Sequence, residues 1–244
     1  MLVKQKVKYI QSLGQKKFRE EERLFIAEGP KLVKDLIEAD PSAIREIYAL
    51  QSWIDENPVL LKQQDCIPVT EAELERISQL STPNNVLALV EQYEIPGSIG
   101  AAGKITLVLD TIQDPGNLGT IIRIADWFGI HQIICSENSA DLYNSKVVQS
   151  TMGSIARVHV FYTEIEAWLK KQGDIAIYAT SLNGRDIQAM QKIKEGIIII
   201  GNESKGISDS VMPLANQKIT IGKKGKAESL NAAVAAGIVL SHLI

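Results

Sequence analysis

Cysteine is nearly absent from this chain of 244 residues: Cys66 and Cys135 are the only two. Each lies in an apolar stretch, so two buried thiols are expected rather than a disulfide. Neither has the cysteine or histidine neighbours a zinc site needs, and the three histidines are scattered, so no metal is expected. No apolar run approaches the ~20 residues of a membrane helix, which argues against a membrane protein. The basic first dozen residues contain no apolar signal core and run into Glu20, Glu21 and Glu22. A secretory signal is therefore not expected, a short mitochondrial leader is the weaker reading, and a soluble cytoplasmic protein is the default. Aromatic residues are only 5% of the chain, leaving few platforms on which nucleic-acid bases could stack. What remains is ordinary globular composition, 45% hydrophobic and 23% charged, in a chain long enough for one large domain or two modest ones.

A net charge of −3 does not advertise a nucleic-acid partner, but its distribution does. Lys4, Lys6, Lys8, Lys16, Lys17, Arg19 and Arg23 crowd the N-terminus, and Lys218, Lys223, Lys224 and Lys226 crowd a loop near the C-terminus. Local basic patches grip phosphates even on an acidic protein. Solvated surface lysines are the alternative reading.

Up to about Glu91, short apolar runs at 24–27, 44–50, 66–69 and 86–90 read as strands, and helical periodicity appears at 30–39 and 71–80. Thr70 and Glu73 form a capping box, and a basic helix over about 2–13 comes first. This is a small α/β unit, residues 1–93. Residues 94–104, with Pro96-Gly97 and two further glycines, read as a linker. Beyond it, strands recur at 105–109, 132–135, 157–161, 175–179, 196–200 and 218–221, with helices between most of them. Runs such as Ile197 to Ile200 are apolar at every position, which implies a parallel sheet covered on both faces.

Three segments in residues 105–244 carry chemistry-bearing side chains. The first runs from Asp110 through Asp114-Pro115-Gly116-Asn117-Leu118-Gly119 to Arg123. A buried strand, a turn and a helix that opens on Asn117 are expected, with Arg123 near two turns further on and sharing part of one face. The second, Gly201-Asn202-Glu203-Ser204-Lys205-Gly206-Ile207-Ser208, directly follows a buried strand and places Glu203 at the sheet rim, where ligands bind in open α/β sheets. The third runs from Ile219 and Ile221 through the lysine loop to Ser229-Leu230-Asn231 and a small-residue helix, which Ser229 or Asn231 can cap. Each segment alone also fits a capped structural turn. Their occurrence together and in this order is far more specific.

Together they resemble the SpoU branch of the SPOUT RNA methyltransferases, the 2'-O-ribose methyltransferases. Asn117 and Arg123 match the first family motif, and Gly201, Glu203, Gly206 and Ser208 match the second. Ser229, Leu230 and Asn231 match the third. The likeness covers most of 105–244. Residues Phe25 to Gly29 and Asn85 to Val90 carry a weaker likeness to the L30e-like RNA-binding domain joined to many of these enzymes. The third motif departs from the family pattern, reading Ile221-Gly222-Lys223 where Ile-Pro-Met is usual.

The resemblance implies an α/β fold, a parallel-sheet domain with a C-terminal trefoil knot plus the smaller N-terminal domain. It implies S-adenosylmethionine bound near Thr180, Ser181, Leu182, Gly184, Gly201, Asn202, Gly206, Ile219, Ile221, Ser229 and Leu230. It also implies a homodimer, with Arg123 serving its own or the partner's site. The reaction would be methyl transfer to a ribose 2'-hydroxyl of structured RNA, rRNA before tRNA. Catalytic roles fall to Arg123, Glu203, Asn117, Ser229 and Asn231. Arg123 is the family's central residue; a guanidinium stays protonated, so stabilising a developing alkoxide suits it better than acting as base. A non-catalytic RNA-binding assembly factor is the competing class, against which the retention of all five residues argues. A nicotinamide-dependent oxidoreductase would need Gly-x-Gly-x-x-Gly where this chain has Asp114 to Gly119.

Overall fold

The computed structural model describes residues 2–94 and 99–244. From the N-terminus the elements are α1 (Lys4–Ser12), α2 (Lys16–Glu22), β1 (Leu24–Glu28), α3 (Pro30–Ala39), β2 (Ile44–Ala49) and α4 (Gln51–Glu56). They continue with β3 (Cys66–Pro68), α5 (Glu71–Ile77), β4 (Val86–Glu91), β5 (Ile105–Asp110), α6 (Pro115–Trp127) and β6 (Gln132–Cys135). The last are α7 (Ser145–Thr151), β7 (His159–Tyr162), α8 (Ile165–Leu169), β8 (Ile177–Asp186), β9 (Gly196–Gly201), β10 (Gln217–Thr220) and α9 (Ala232–Leu243). The Pro96-Gly97 pair of the expected linker lies outside the described residues. Among the described residues no helix is long and apolar enough to cross a membrane.

The chain forms two compact units, residues 1–94 with 141–157, and residues 95–140 with 158–244. The first holds a four-stranded sheet in the order β1-β4-β2-β3, with β4 antiparallel to both its neighbours. Thr70 and Glu73 do form the capping box of α5. The surprise is α7, which packs against β1 of this unit although it lies far along the chain. Gln149 on α7 donates to the main-chain oxygen of Glu28 at 2.8 Å, and the ring of Tyr143 stacks on Phe25 at 4.9 Å. Cys135 is buried and Cys66 half-buried; both are free thiols.

The second unit is built on a six-stranded sheet in the order β10-β8-β9-β5-β6-β7, and every pairing is parallel. Its central strands β5 and β9 are buried at all but one end residue each, as the runs Leu107–Leu109 and Ile197–Ile200 demand. The chain runs outward from β5 to β7 on one side, then returns to lay β8, β9 and β10 on the other. Loops leaving β5 and β9 therefore part in opposite directions, and the crevice between them lies at the carboxyl edge, where Asp110 and Gly201 are register partners.

Strand β8 is longer than the apolar run 175–179 predicts, and the reason is its pairing with β10. Tyr178 and Ala179 pair with Gln217 and Lys218; the register then jumps, so that Arg185 and Asp186 pair with Ile219 and Thr220. Residues 180–184 bulge out over a single peptide step of the partner strand. Gly184 makes that close return possible: a Cβ there would lie 2.6 Å from the Lys218 carbonyl carbon. Gly184→Ala forces the two strands apart, at a cost of about 2–3 kcal/mol. The melting temperature should fall by roughly 5–10 °C in scanning calorimetry. An unchanged melting temperature would contradict this strand crossing.

Candidate active site

Helix α6 begins earlier than expected. Asp114 is its N-cap, accepting the Asn117 N–H at 2.8 Å, and Pro115 takes the first helical position, where its missing N–H costs nothing. An Asp-Pro pair fits these two positions better than Asn117 fits the cap. Asn117 is thereby displaced into the first turn, and its side chain is released for another task. Its Nδ2 donates to Glu203 Oε1, and its Oδ1 accepts from Asn231 Nδ2 at 2.8 Å. One carboxamide thus joins all three motif segments, although Asn117 is 86 residues from Glu203 and 114 from Asn231. Asn231 does double duty, because its Oδ1 also caps α9 through the N–H groups of Ala233 and Val234.

The loop bearing Glu203 is held from beneath. Gly201 permits the chain to double back so tightly that a Cβ there would lie 2.4 Å from the Gly206 carbonyl carbon. Asn202 and Gly206 exchange main-chain hydrogen bonds, and Asn202 Oδ1 accepts from Ser204 and Lys205. Asn202 Nδ2 donates to the Thr111 carbonyl at 2.9 Å. Asp110 is the buried anchor of the arrangement: Oδ2 accepts the Ser208 N–H at 2.7 Å and Oδ1 accepts the Thr111 hydroxyl at 3.0 Å. Thr111 itself adopts a left-handed conformation (φ 60°), which a β-branched residue keeps only where its surroundings over-determine it. Here the Thr111 N–H is fixed to Ser136 Oγ at 2.8 Å, its hydroxyl to Asp110 and its carbonyl to Asn202. Sequence reasoning gave Asp110, Thr111 and Ser136 no role. The available signal was an acidic residue closing a wholly apolar strand, a position where a carboxylate without donors would be costly.

Other expected residues fall around this network. Arg123 is exposed two turns along α6, and among the described residues its guanidinium takes no hydrogen-bond or ion-pair partner. Ser229 is exposed and outside the hydrogen-bonded chain, in a loop over 222–231 that carries exposed Lys223, Lys224 and Lys226. Leu230 stays outside α9, because Asn231 is the cap, and is exposed, as is Leu182. Thr180 donates to the Ile199 carbonyl at 2.9 Å, so Thr180, Ser181 and Leu182 leave the sheet beside the end of β9. Ile219 is buried and Ile221 half-buried at the end of β10, near Leu182, whose carbonyl accepts from Thr220 Oγ1 at 3.4 Å. The ends of β9 and β10 thus meet main-chain groups of 180–182 and the exposed Leu182 side chain.

The N-terminal basic residues divide. Lys4, Lys8, Lys16 and Lys17 are exposed, the last two spaced for i,i+4 pairs with Glu20 and Glu21. Lys6 is half-buried, paired with Glu46 at 2.7 Å and seated over the Tyr9 ring. Arg19 requires a correction. It is only 4% exposed, donates to the carbonyls of Leu13 and Gly14, and meets Asp141 at 2.5 Å, so it ties α2 to the 141–157 segment and is not offered to a phosphate. Among the described residues no cluster of His, Cys, Asp and Glu could hold a metal ion.

Comparison with known proteins bears on what this network is for. Residues 104–241 match the model of the SpoU rRNA Methylase family, and residues 4–88 that of an MRM3-like substrate binding domain. A 23S rRNA (guanosine(2553)-2'-O)-methyltransferase of Bacillus subtilis is 31% identical, across 98% of this chain and 96% of that protein. An AdoMet-bound rRNA methyltransferase from Sinorhizobium meliloti superposes with a TM-score of 0.86 at 32% identity, covering 100% of this chain and 95% of that one. A SpoU methyltransferase from Streptomyces viridochromogenes, in complex with AdoMet, superposes with a TM-score of 0.83 at 25% identity, covering 98% and 96%.

The two tasks of Asn231 can be separated. Asn231→Asp keeps the capping oxygen and loses the donor to Asn117, whereas Asn231→Ala loses both. The alanine variant should be less stable by about 1 kcal/mol, or roughly 2–4 °C in melting temperature, and the aspartate variant should melt near the wild type. Equal melting temperatures for the wild type and the alanine variant would contradict the cap.

Proposed function

The chain belongs to the SpoU rRNA methylase family, and from that premise we propose that it transfers the methyl group of S-adenosylmethionine to a ribose 2'-hydroxyl of ribosomal RNA. The observation that carries this reading is the bridge made by Asn117 between Glu203 and Asn231, which brings three family motifs to one crevice at the carboxyl edge of a parallel sheet. The described relative acts on 23S rRNA, and this is the substrate class we assign. A ribosomal substrate puts the reaction in the cytoplasm.

The residues present suit the cofactor. Main-chain groups of 180–184, Gly201 and Ile221 would hold it, and the uncovered side chains of Leu182 and Leu230 offer apolar surface to an adenine ring. Asn202 and Gly206 shape the loop that would border it. S-adenosylmethionine supplies a methyl on a positively charged sulfur, an electrophile that needs no metal. The threading of the chain into a knot belongs to the same reading, supported by β10 lying outside β8 and by the bulge of 180–184 against it.

The side chains have separable tasks. Glu203, fixed by Asn117, is a carboxylate at the rim that can accept a proton as the 2'-hydroxyl is consumed. Asn117 and Asn231 hold the ribose side of the crevice in place. Arg123, which no carboxylate among the described residues neutralises, is free to meet the developing alkoxide and the adjacent phosphate. Ser229, next to Asn231, completes the RNA-facing rim. Lys4, Lys8, Lys16, Lys17 and the loop lysines 223, 224 and 226 supply phosphate contacts that position the RNA without reading its sequence. The unit containing residues 4–88 supplies recognition of RNA shape.

A homodimer is part of this proposal. Helices α6 and α9 pack side by side, with Gly237 close to Ile124, and leave Trp127, Val234 and Ile238 exposed. Trp127 is 85% exposed, on the same helix face as Thr120 and Arg123. An apolar surface of this kind suits a second copy, with Arg123 serving its own or the partner's site.

The test is Arg123→Ala, assayed by transfer of labelled methyl groups to 23S rRNA, with S-adenosylmethionine affinity measured by calorimetry. Turnover should fall by about 10²–10³-fold with cofactor affinity intact. Near-normal turnover would contradict the electrostatic role, and wild-type protein without cofactor affinity would overturn the enzyme reading in favour of an assembly factor.

A further inference from the structure

A parallel sheet has two unlike edges, and the crevice described above uses only the carboxyl edge. At the opposite edge of the same unit, the amino ends of β5, β6 and β7 meet the ends of α6 and α9 and the turn before β9 around a cleft of about 640 Å³. That volume lies within the roughly 300–1,000 Å³ typical of ligand clefts. Its rim carries Lys104, Lys192, Lys194, His131 and His159, and among the described residues no Asp or Glu lines it. Lys104 donates to Gln132 at 3.0 Å and Lys192 to the main-chain oxygen of Ile244. Lys194, His131 and His159 take no partner among the described residues. The nearest acid in sequence, Glu195, is engaged by the Gly103 N–H at 2.5 Å.

The floor is as telling as the rim. The whole chain has four Phe and three His, and two of each, Phe128, Phe161, His131 and His159, line this one cleft. The His159 and Phe161 rings lie 6.4 Å apart. In a protein poor in aromatics, four flat rings are gathered among three lysines. This combination suits a nucleic-acid strand: lysines for phosphates, and the exposed His131 and His159 rings, backed by the buried Phe161, for the face of an unpaired base.

We infer that this cleft is a second RNA contact, which seats an unpaired stretch of the same RNA whose ribose is methylated at the other edge. The inference rests on the RNA methyltransferase reading. A strand of six residues spans about 20 Å, so the two contacts are separated by about that distance and engage nucleotides several positions apart in the folded substrate. The cleft contributes affinity and register and takes no part in the chemistry.

The test uses the full chain and a fluorescein-labelled oligouridylate, with anisotropy read over a salt series. The double variant Lys104→Gln/Lys194→Gln should bind the probe about five- to tenfold more weakly, with the salt slope reduced by about one to two. His159→Ala should weaken binding about threefold with the slope unchanged, because stacking carries no counterion. S-adenosylmethionine affinity, unchanged in each variant, shows that the fold is intact. Variants that bind the probe as the wild type does overturn the inference, as does a wild type that prefers an RNA duplex to the single strand. Methyl transfer to 23S rRNA by the wild type, run in parallel, separates the two levels. If it proceeds while the variants bind normally, only the cleft assignment fails; if wild type binds neither cofactor nor RNA, both readings fall.

Discussion

A single carboxamide joins three distant segments of the chain at the carboxyl edge of the parallel sheet. Asn117 donates to a carboxylate on one segment and accepts from an amide on another, and without it Glu203 and Asn231 would have no common partner. The hydrogen bond to Glu203 is assisted by the carboxylate's charge and is partly shielded from water, where such bonds are stronger than neutral ones. The arrangement is also directional. A carboxamide offers a donor at one end and an acceptor at the other, so neither a carboxylate nor an apolar residue of the same shape can take its place.

Beneath this bridge lies a second layer of hydrogen bonds. Asp110 is buried at the end of β5 and places Thr111 and Ser208; Asn202 then locks the Glu203 loop onto Thr111. The left-handed Thr111 is where that layer stores strain, at the point where the sheet ends and the site begins. Glu203 is thereby set on a rigid support, and Arg123, on an exposed face of α6, takes no side-chain partner among the described residues. Keeping the two apart avoids an ion pair that would neutralise both.

Much of this was legible in sequence because the informative residues are short polar side chains at the ends of apolar strands. The strands of both units, helix α3 and the capping box at Thr70 follow from local pattern. Asn117, Glu203 and Asn231 stood out because little structural need explains them together. What was not legible depends on distant partners. Asn117 reads as a cap until Asp114 and Pro115 take the first positions. Arg19 reads as one more surface cation until Asp141, 122 residues away, draws it inward. The helix at 145–151 carries no mark of which core it will join, since an amphipathic face suits either. The amino-edge cleft gathers residues from five stretches of chain, none of which forms a motif by itself.

The most direct measurement is a double-mutant cycle on Asn117 and Glu203, read as kcat/KM for methylation of 23S rRNA. If Asn117 acts by holding Glu203, Asn117→Ala and Glu203→Ala will each be damaging, and the double variant will be little worse than the more damaged single, a coupling of about 1–3 kcal/mol. Strictly additive losses would show that the two residues work independently, and the bridge would not be the keystone of the site.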